Sequence, residues 1–527
     1  MSLSTPQEAM DGRRSASPDH MNALESSETS DSGPTVREKS EGEPKLGPTR
    51  KGSKVVSLAD GPATGEDGEA YPPRRRSKQG TRDTQRSENP SLARRVTELF
   101  VAEHPVKHEP TFRASAIAIV KASWLNVLLV FIPIGWACHF AHLNDTIVFV
   151  FNFLAIIPLA KLLGFGTEEI ALRVGQALGG LLNATLGNAV ELIVAIIALV
   201  KCEIQVVQSS LLGSILSNLL LVLGMVFFVG GIKYSEQGFK DTAAQMNSSL
   251  LVIAVFAILL PAGFNAAFQD NLTAEAEQER ILKMSRGTAV ILLIVYLGYL
   301  VFQLFTHQHL FAEGNTSEVD ADMRDGRQIW RGHRAFREAP SVRRPRAVEE
   351  ATEEDEEAEE EEMPSLNVWS ALILLVAVTV LVAFTAEFLV SSINGLTEAH
   401  PEITTEWVAL ILLPIVGNAA EHVTAVSVSV HDKLDLSLGV AVGSSIQIAL
   451  FVIPLLVVLG WIMDKPLSLL FDPFESIILF LSVLMANYTM QDGRSNWLEG
   501  FLLMMVYVII AVSIWFYPSE GSTAFAC

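Results

Sequence analysis

Cysteine is scarce in this 527-residue chain: Cys138, Cys202 and Cys527 are too few and too scattered for a disulfide framework or a thiolate metal site. A P-loop pattern is missing, as is any polar stretch long enough for a soluble nucleotide-processing domain, which argues against a primary ATP-driven pump. No apolar run with a small-residue cleavage pattern stands near the start, so no secretory signal peptide is predicted. Charged residues make up only 18% of the chain and are absent from long stretches of it. The apolar runs are continuous rather than alternating, which excludes a membrane β-barrel.

Half of the residues are hydrophobic, and the apolar runs reach about 20 residues, the length that crosses a bilayer core. The pattern predicts an all-α polytopic membrane protein of about eleven transmembrane helices, near 122–141, 145–163, 176–200, 208–231, 247–265, 287–306, 367–391, 405–430, 436–461, 472–489 and 497–517. Helices are required because every backbone polar group must be satisfied within the segment. The lipid bilayer is the partner that this composition demands, and nothing in it points to nucleic acid. No sequence feature specifies an oligomer.

Residues 1–88, rich in Ser, Pro, Gly, Arg and Glu, have the composition of a disordered tail. In 89–121 a juxtamembrane segment follows, where Leu92, Val96, Leu99 and Phe100 recur at helical spacing beside Arg94 and Arg95. That spacing suits either an amphipathic helix on the membrane surface or a frayed polar helix. The net charge of −21 is local, since 349–362 alone contributes eleven acidic residues. Basic clusters (Arg74, Arg75, Arg76, Lys78, Arg94 and Arg95; then Arg324, Arg327, Arg331, Arg334, Arg337, Arg343 and Arg344) flank the first span and fill the 307–366 loop. The loop at 391–406 and the tail at 518–527 contain no Lys or Arg. Both basic regions are therefore expected on the cytosolic side, with the N-terminus cytosolic.

One motif occurs twice. Gly187-Asn188-Ala189-Val190-Glu191 returns as Gly417-Asn418-Ala419-Ala420-Glu421, and Gly213-Ser214 returns as Gly443-Ser444, all at one offset of 230 residues. With the first helix (122–144) set aside, 145–306 and 367–517 hold five spans each, and an odd number of crossings forces two inverted five-helix repeats. Glu191 and Glu421 should then face each other in mid-membrane, where an uncompensated carboxylate costs roughly 2.5–3.5 kcal/mol on insertion scales.

Asn and Glu three positions apart share a helix face. A carboxylate and an amide oxygen from each repeat suit a hard divalent cation such as Ca2+ or Mn2+. Ser214, Ser217 and Asn218, with Ser444, Ser445 and Gln447, either complete the oxygen shell or hydrogen-bond neighbouring helices; Ser214 and Gln447 are the preferred ligands. Glu387 reads as an entrance or proton-relay group. Glu168 and Glu169 lie at a membrane boundary, where a solvated surface role is expected for at least one. His422 either tunes selectivity or packs.

The paired motifs, the Glu-His after the second Gly-Asn, the eleven spans and the acidic tract between the sixth and seventh resemble the calcium/proton exchangers of fungal and plant vacuoles, within the cation/calcium exchanger superfamily. The resemblance covers about 90–517. It implies a non-enzymatic antiporter of the vacuolar membrane exchanging cytosolic Ca2+ for lumenal protons, with no cofactor. Glu191 and Glu421 would be the alternating ligands for Ca2+ and H+, supported by Asn188, Asn418, Ser214 and Gln447. A broad divalent cation/proton exchanger remains open, as does a sodium/calcium exchanger, whose Na+ sites would ask for more oxygen ligands than the repeats show.

The acidic tract reads as a cation-attracting element or as a linker. Its field is screened over about 8 Å at physiological salt, too short a range to replace a buried site. Deleting 349–362 should therefore alter the initial rate of Ca2+ uptake modestly, by an amount that shrinks as salt rises; complete loss of exchange in inserted protein would place the tract in the transport machinery.

Overall fold

A computed structural model describes residues 109–174, 176–268, 273–307, 310 and 364–518. The amphipathic segment expected at 91–104, the basic clusters and the acidic tract lie outside the described residues.

The helices are α1 (Phe112–Lys121), α2 (Trp124–Phe140), α3 (Asp145–Ala171), α4 (Gln176–Leu186), α5 (Ala189–Val200), α6 (Ile204–Lys233), α7 (Asp241–Phe268), α8 (Ala274–Val301), α9 (Val368–Ser391), α10 (Thr405–Gly417), α11 (Ala419–Ser429), α12 (Leu434–Ile462), α13 (Pro473–Thr489) and α14 (Trp497–Trp515). Every run read as a span falls on one of these or on a consecutive pair. Among the described residues, seven helices are long and apolar enough to cross a membrane alone, or up to nine if each bent pair is one span; α5 and α13 are shorter apolar helices. The first span expected at 122–141 coincides with α2; α1 precedes it and meets it at 90°, so residues 112–121 are helical but do not continue the direction of the crossing.

Polar caps mark where helices start. Asn144 accepts from Thr146 N at 2.8 Å, Asn367 from Ser370 N at 2.7 Å, and Asn496 caps α14 in a capping box with Glu499. Each supplies an acceptor to a backbone N–H that the first turn leaves unpaired.

Burial sorts the helices into layers. In the most apolar window of each, α6 is 72% and α12 61% buried, against 28% for α8 and for α14. The innermost helices are thus the two that follow the motifs, related by the 230-residue offset. Each carries a π-helical stretch at the equivalent place, Ser217–Val222 and Ile448–Val452, a distortion that single turns adopt most often near functional sites. Outer helices turn large apolar side chains outward, as Ile291, Ile294 and Leu297 of α8 do, which suits lipid contact.

Close helix approach depends on glycine at the α6–α14 crossing. A Cβ on Gly500 would sit 2.5 Å from Gly224 O and 2.8 Å from Phe227 C, backbone atoms that cannot move aside. Substitution forces the helices apart, an overpacking that costs about 1–3 kcal/mol. Gly500→Val should lower the thermal unfolding midpoint of the detergent-solubilised protein by several degrees; an unchanged midpoint would show that the crossing yields freely.

Candidate functional site

The two motifs break their spans. Asn188 separates α4 from α5 with φ −96°, ψ 26°, and Asn418 separates α10 from α11 with φ −88°, ψ 4°. Backbone dihedrals near this bridge region are sparsely allowed and occur often at functional sites. The α10–α11 pair bends by 54°. Each break starts a new helix with the motif glutamate in its first turn, where the helix dipole favours negative charge.

Glu191 and Glu421 come together across the repeats. Glu191 Oε1 lies 2.8 Å from the place a Cβ of Gly417 would occupy, so the second repeat's glycine makes room for the first repeat's carboxylate. The asparagines cross over as well. Asn188 donates to Gln447 Oε1 at 2.6 Å and accepts from Ser444 Oγ at 2.8 Å. Asn418 donates to Ser217 Oγ at 2.9 Å and, more weakly, to Ser214 O at 3.5 Å. Residues 217 and 447 are themselves related by the offset, so the two bonds are symmetry mates. Ser444 has one hydroxyl proton; the nearer Asn188 Oδ1 takes it in preference to Glu421 Oε1 at 3.3 Å. Asn218 donates to Ser444 Oγ at 3.1 Å.

Several acceptors remain buried without a hydrogen-bond partner among the described residues: Glu421 Oε2, Asn418 Oδ1 and Asn218 Oδ1. Orphan oxygens in an interior are costly unless something fills them, and oxygen-only donors fit a hard cation. Among the described residues no three or more His, Cys, Asp or Glu side chains converge as a metal site. A cation here is therefore limited to two carboxylates completed by neutral oxygens.

The halves are not equally open. A cavity of about 400 Å3 reaches Glu421, Ser444 and Gln447 from the face where α3 and α8 end and α7 and α12 begin. Glu191 and Ser214 line a pocket of about 20 Å3. Glycines record the same asymmetry: a Cβ on Gly213 would run into Leu410 O of α10, whereas its counterpart Gly443 has nothing within 4 Å.

Other residues singled out from sequence fall in different places. Glu168 lines the wide cavity, whereas Glu169 is buried, pairs with Arg173 at 3.4 Å and accepts from Ser365 N and Leu366 N, pinning the approach to α9. Glu387 lies at the far end of α5, where Lys201 Nζ stands 3.7 Å from its carboxylate. His422 does not line the wide cavity, and its buried Nε2 has no partner among the described residues. Ser445 turns back onto Ala441 O of its own helix.

Sequence reasoning passed over Lys161, which lines the wide cavity and donates to Thr424 Oγ1 at 3.3 Å; its signal was a single basic residue inside an apolar run. It also missed the buried Glu475, which accepts from Ser209 Oγ at 2.6 Å, and Glu406, whose partner is Gln205.

Two inverted helical repeats that bring a motif carboxylate each to their crossing, with a wide cavity in one half and a narrow pocket in the other, define a secondary-active cation exchanger. Residues 144–305 and 370–516 match the sodium/calcium exchanger protein family, and the chain belongs to it. It is 52% identical over 508 residues to the vacuolar calcium ion transporter of Cryptococcus neoformans var. grubii, with 86% of this chain and 84% of the relative covered. It is 43% identical over 392 residues to the Ca2+/H+ antiporter of Aphanothece halophytica, with 74% and 96% covered. Among solved structures, the selenium-substituted Ca2+/H+ antiporter protein YfkE superimposes with a TM-score of 0.57 at 29% identity, covering 75% of this chain and 99% of that one.

The asymmetry between Gly213 and Gly443 has a functional test. In a conformation open to the opposite face, α12 would pack as α6 does here, and Gly443 would need the closeness that Gly213 has now. Gly443→Leu should insert and fold normally yet cut turnover in vesicle Ca2+ uptake at least about tenfold, a barrier increase of roughly 1.4 kcal/mol; wild-type turnover would mean that the helices do not exchange roles.

Proposed function

We propose that this protein exchanges cytosolic Ca2+ for lumenal protons across the vacuolar membrane by alternating access, with Glu191 and Glu421 as the shared ligands. The observation that carries the reading is the approach of Glu191 to Gly417 of the opposite repeat's motif, the motif that carries Glu421, with neutral oxygens around both. The relatives that are vacuolar calcium ion transporters and Ca2+/H+ antiporters support it.

Protons and Ca2+ compete for the same oxygens. One Ca2+ or two protons leave the pair neutral, whereas the empty pair carries two buried charges, expensive in a low-dielectric barrier. Transit with the site empty is therefore suppressed, and movement of one ion is coupled to return of the other. Asn188 and Asn418, anchored on the opposite repeat's helix through Gln447, Ser444 and Ser217, hold the carboxylates in register. Ser214 beside Glu191 and Gln447 beside Glu421 add neutral ligands.

The basic residues within 307–366 put that segment, the wide cavity and the N-terminus on the cytosolic side. Residues 145–306 and 367–517 are the two exchanger repeats, 122–144 the extra first helix, and 1–88 and 518–527 the tails. On this assignment the conformation described is open to the cytosol and ready to accept Ca2+.

Neutralising either carboxylate removes half of the charge that balances the ion. Glu191→Gln and Glu421→Gln should each abolish Ca2+ uptake driven by an imposed pH gradient in vesicles, while the variants insert and elute as the wild type does; substantial uptake by either would remove that residue from the site.

A further inference from the structure

The wide cavity contains a basic group that the exchange cycle does not use. Lys161 lies within the apolar span of α3, half-buried, and its ammonium rests on Thr424 Oγ1 at 3.3 Å. Thr424 follows Glu421 by three positions on α11, on the same face and only roughly 4.5 Å further along the axis. Lys161, Thr424 and Glu421 all line the same cavity. Among the described residues Lys161 forms no ion pair, and Glu421 Oε2 is buried with no hydrogen-bond partner. Gly164 and Gly439 line the same cavity, and neither has an atom within 4 Å of where a Cβ would stand. The other charged groups of the cavity are Glu168, Lys240 and Asp435.

A lysine inside a span usually marks an ion path. In a cleft with low-dielectric walls, a fixed positive charge acts on every ion that enters, and on a divalent cation twice as strongly as on a monovalent one. An ammonium also has three donors, and Thr424 satisfies one.

We propose that Lys161 is a tethered cation that competes with Ca2+ for Glu421 and so sets the apparent Ca2+ affinity on the wide-cavity side. The inference rests on the exchange reading above. With the site ready to accept Ca2+, the ammonium rests on Thr424, about one helical turn from Glu421, and its fixed charge offsets part of the carboxylate's. An arriving Ca2+ meets that repulsion on the way in and neutralises Glu421 in competition with it. The lysine forms no covalent bond and is a specificity-determining residue of the cation path.

The test is initial Ca2+ uptake against Ca2+ concentration in vesicles carrying the full-length protein under an imposed pH gradient. Lys161→Met keeps the length of the stem and removes the charge, so KM for Ca2+ should fall about tenfold while kcat changes less. Lys161→Arg keeps the charge and should leave KM within about twofold of the wild type. Should Lys161→Met fail to insert, Lys161→Gln is read by the same criterion, together with Ca2+ binding to the solubilised protein. A wild-type KM in the uncharged variants, or an equal loss of kcat in the Met and Arg variants with KM unmoved, overturns the proposal and leaves Lys161 a packing residue. If the wild type itself shows no proton-driven Ca2+ uptake, the exchange reading fails; if it does, and Glu421→Gln abolishes it while KM ignores Lys161, only this proposal fails.

Discussion

Two carboxylates from oppositely oriented repeats lie at facing helix breaks inside an apolar frame, and on the proposed function much of the architecture follows from the cost of leaving them charged and alone. Water would solvate two such groups at little cost. Within a helical interior they require a neutralising load. The helix breaks at Asn188 and Asn418 place each glutamate in a first turn, where the backbone dipole offsets part of its charge. The crossed asparagine bonds tie each motif to the other repeat's inner helix.

The same construction gives a reason for the inequality of the halves. Two repeats of similar sequence can pack identically or trade roles, and a transporter requires the second arrangement. In this conformation the first repeat's inner helix, α6, is pressed against α10 at Gly213, whereas α12 stands clear at Gly443. Packed interiors switch between discrete arrangements more readily than they deform continuously. On the proposed exchange cycle, the large opening beside Glu421 and the small one beside Glu191 would be the two ends of such a switch.

Glu169 and Glu168 show how tertiary context divides neighbours of the same type. Facing inward, Glu169 collects Arg173 and the backbone N–H groups of Ser365 and Leu366, becoming an anchor for the segment that enters the second repeat. Glu168 turns to the cavity. Consecutive residues on a helix point about 100° apart, so one position decides between a structural bond and a place on the ion path.

The sequence by itself determined the membrane class, the two sets of spans and the pairing of the motifs. Apolar length and a constant 230-residue offset are one-dimensional properties, and bilayer thickness converts the first directly into crossings. The helix breaks at the motifs, the bend, the crossed hydrogen bonds and the meeting of Glu191 with Gly417 belong to the tertiary structure. So do the contact of Lys161 with Thr424, the burial of Glu475 and the pairing of Glu387 with Lys201, each of which joins residues far apart in the chain. Which repeat is open could not be read from the motifs, because the same motif stands in both halves and only packing in three dimensions selects one arrangement.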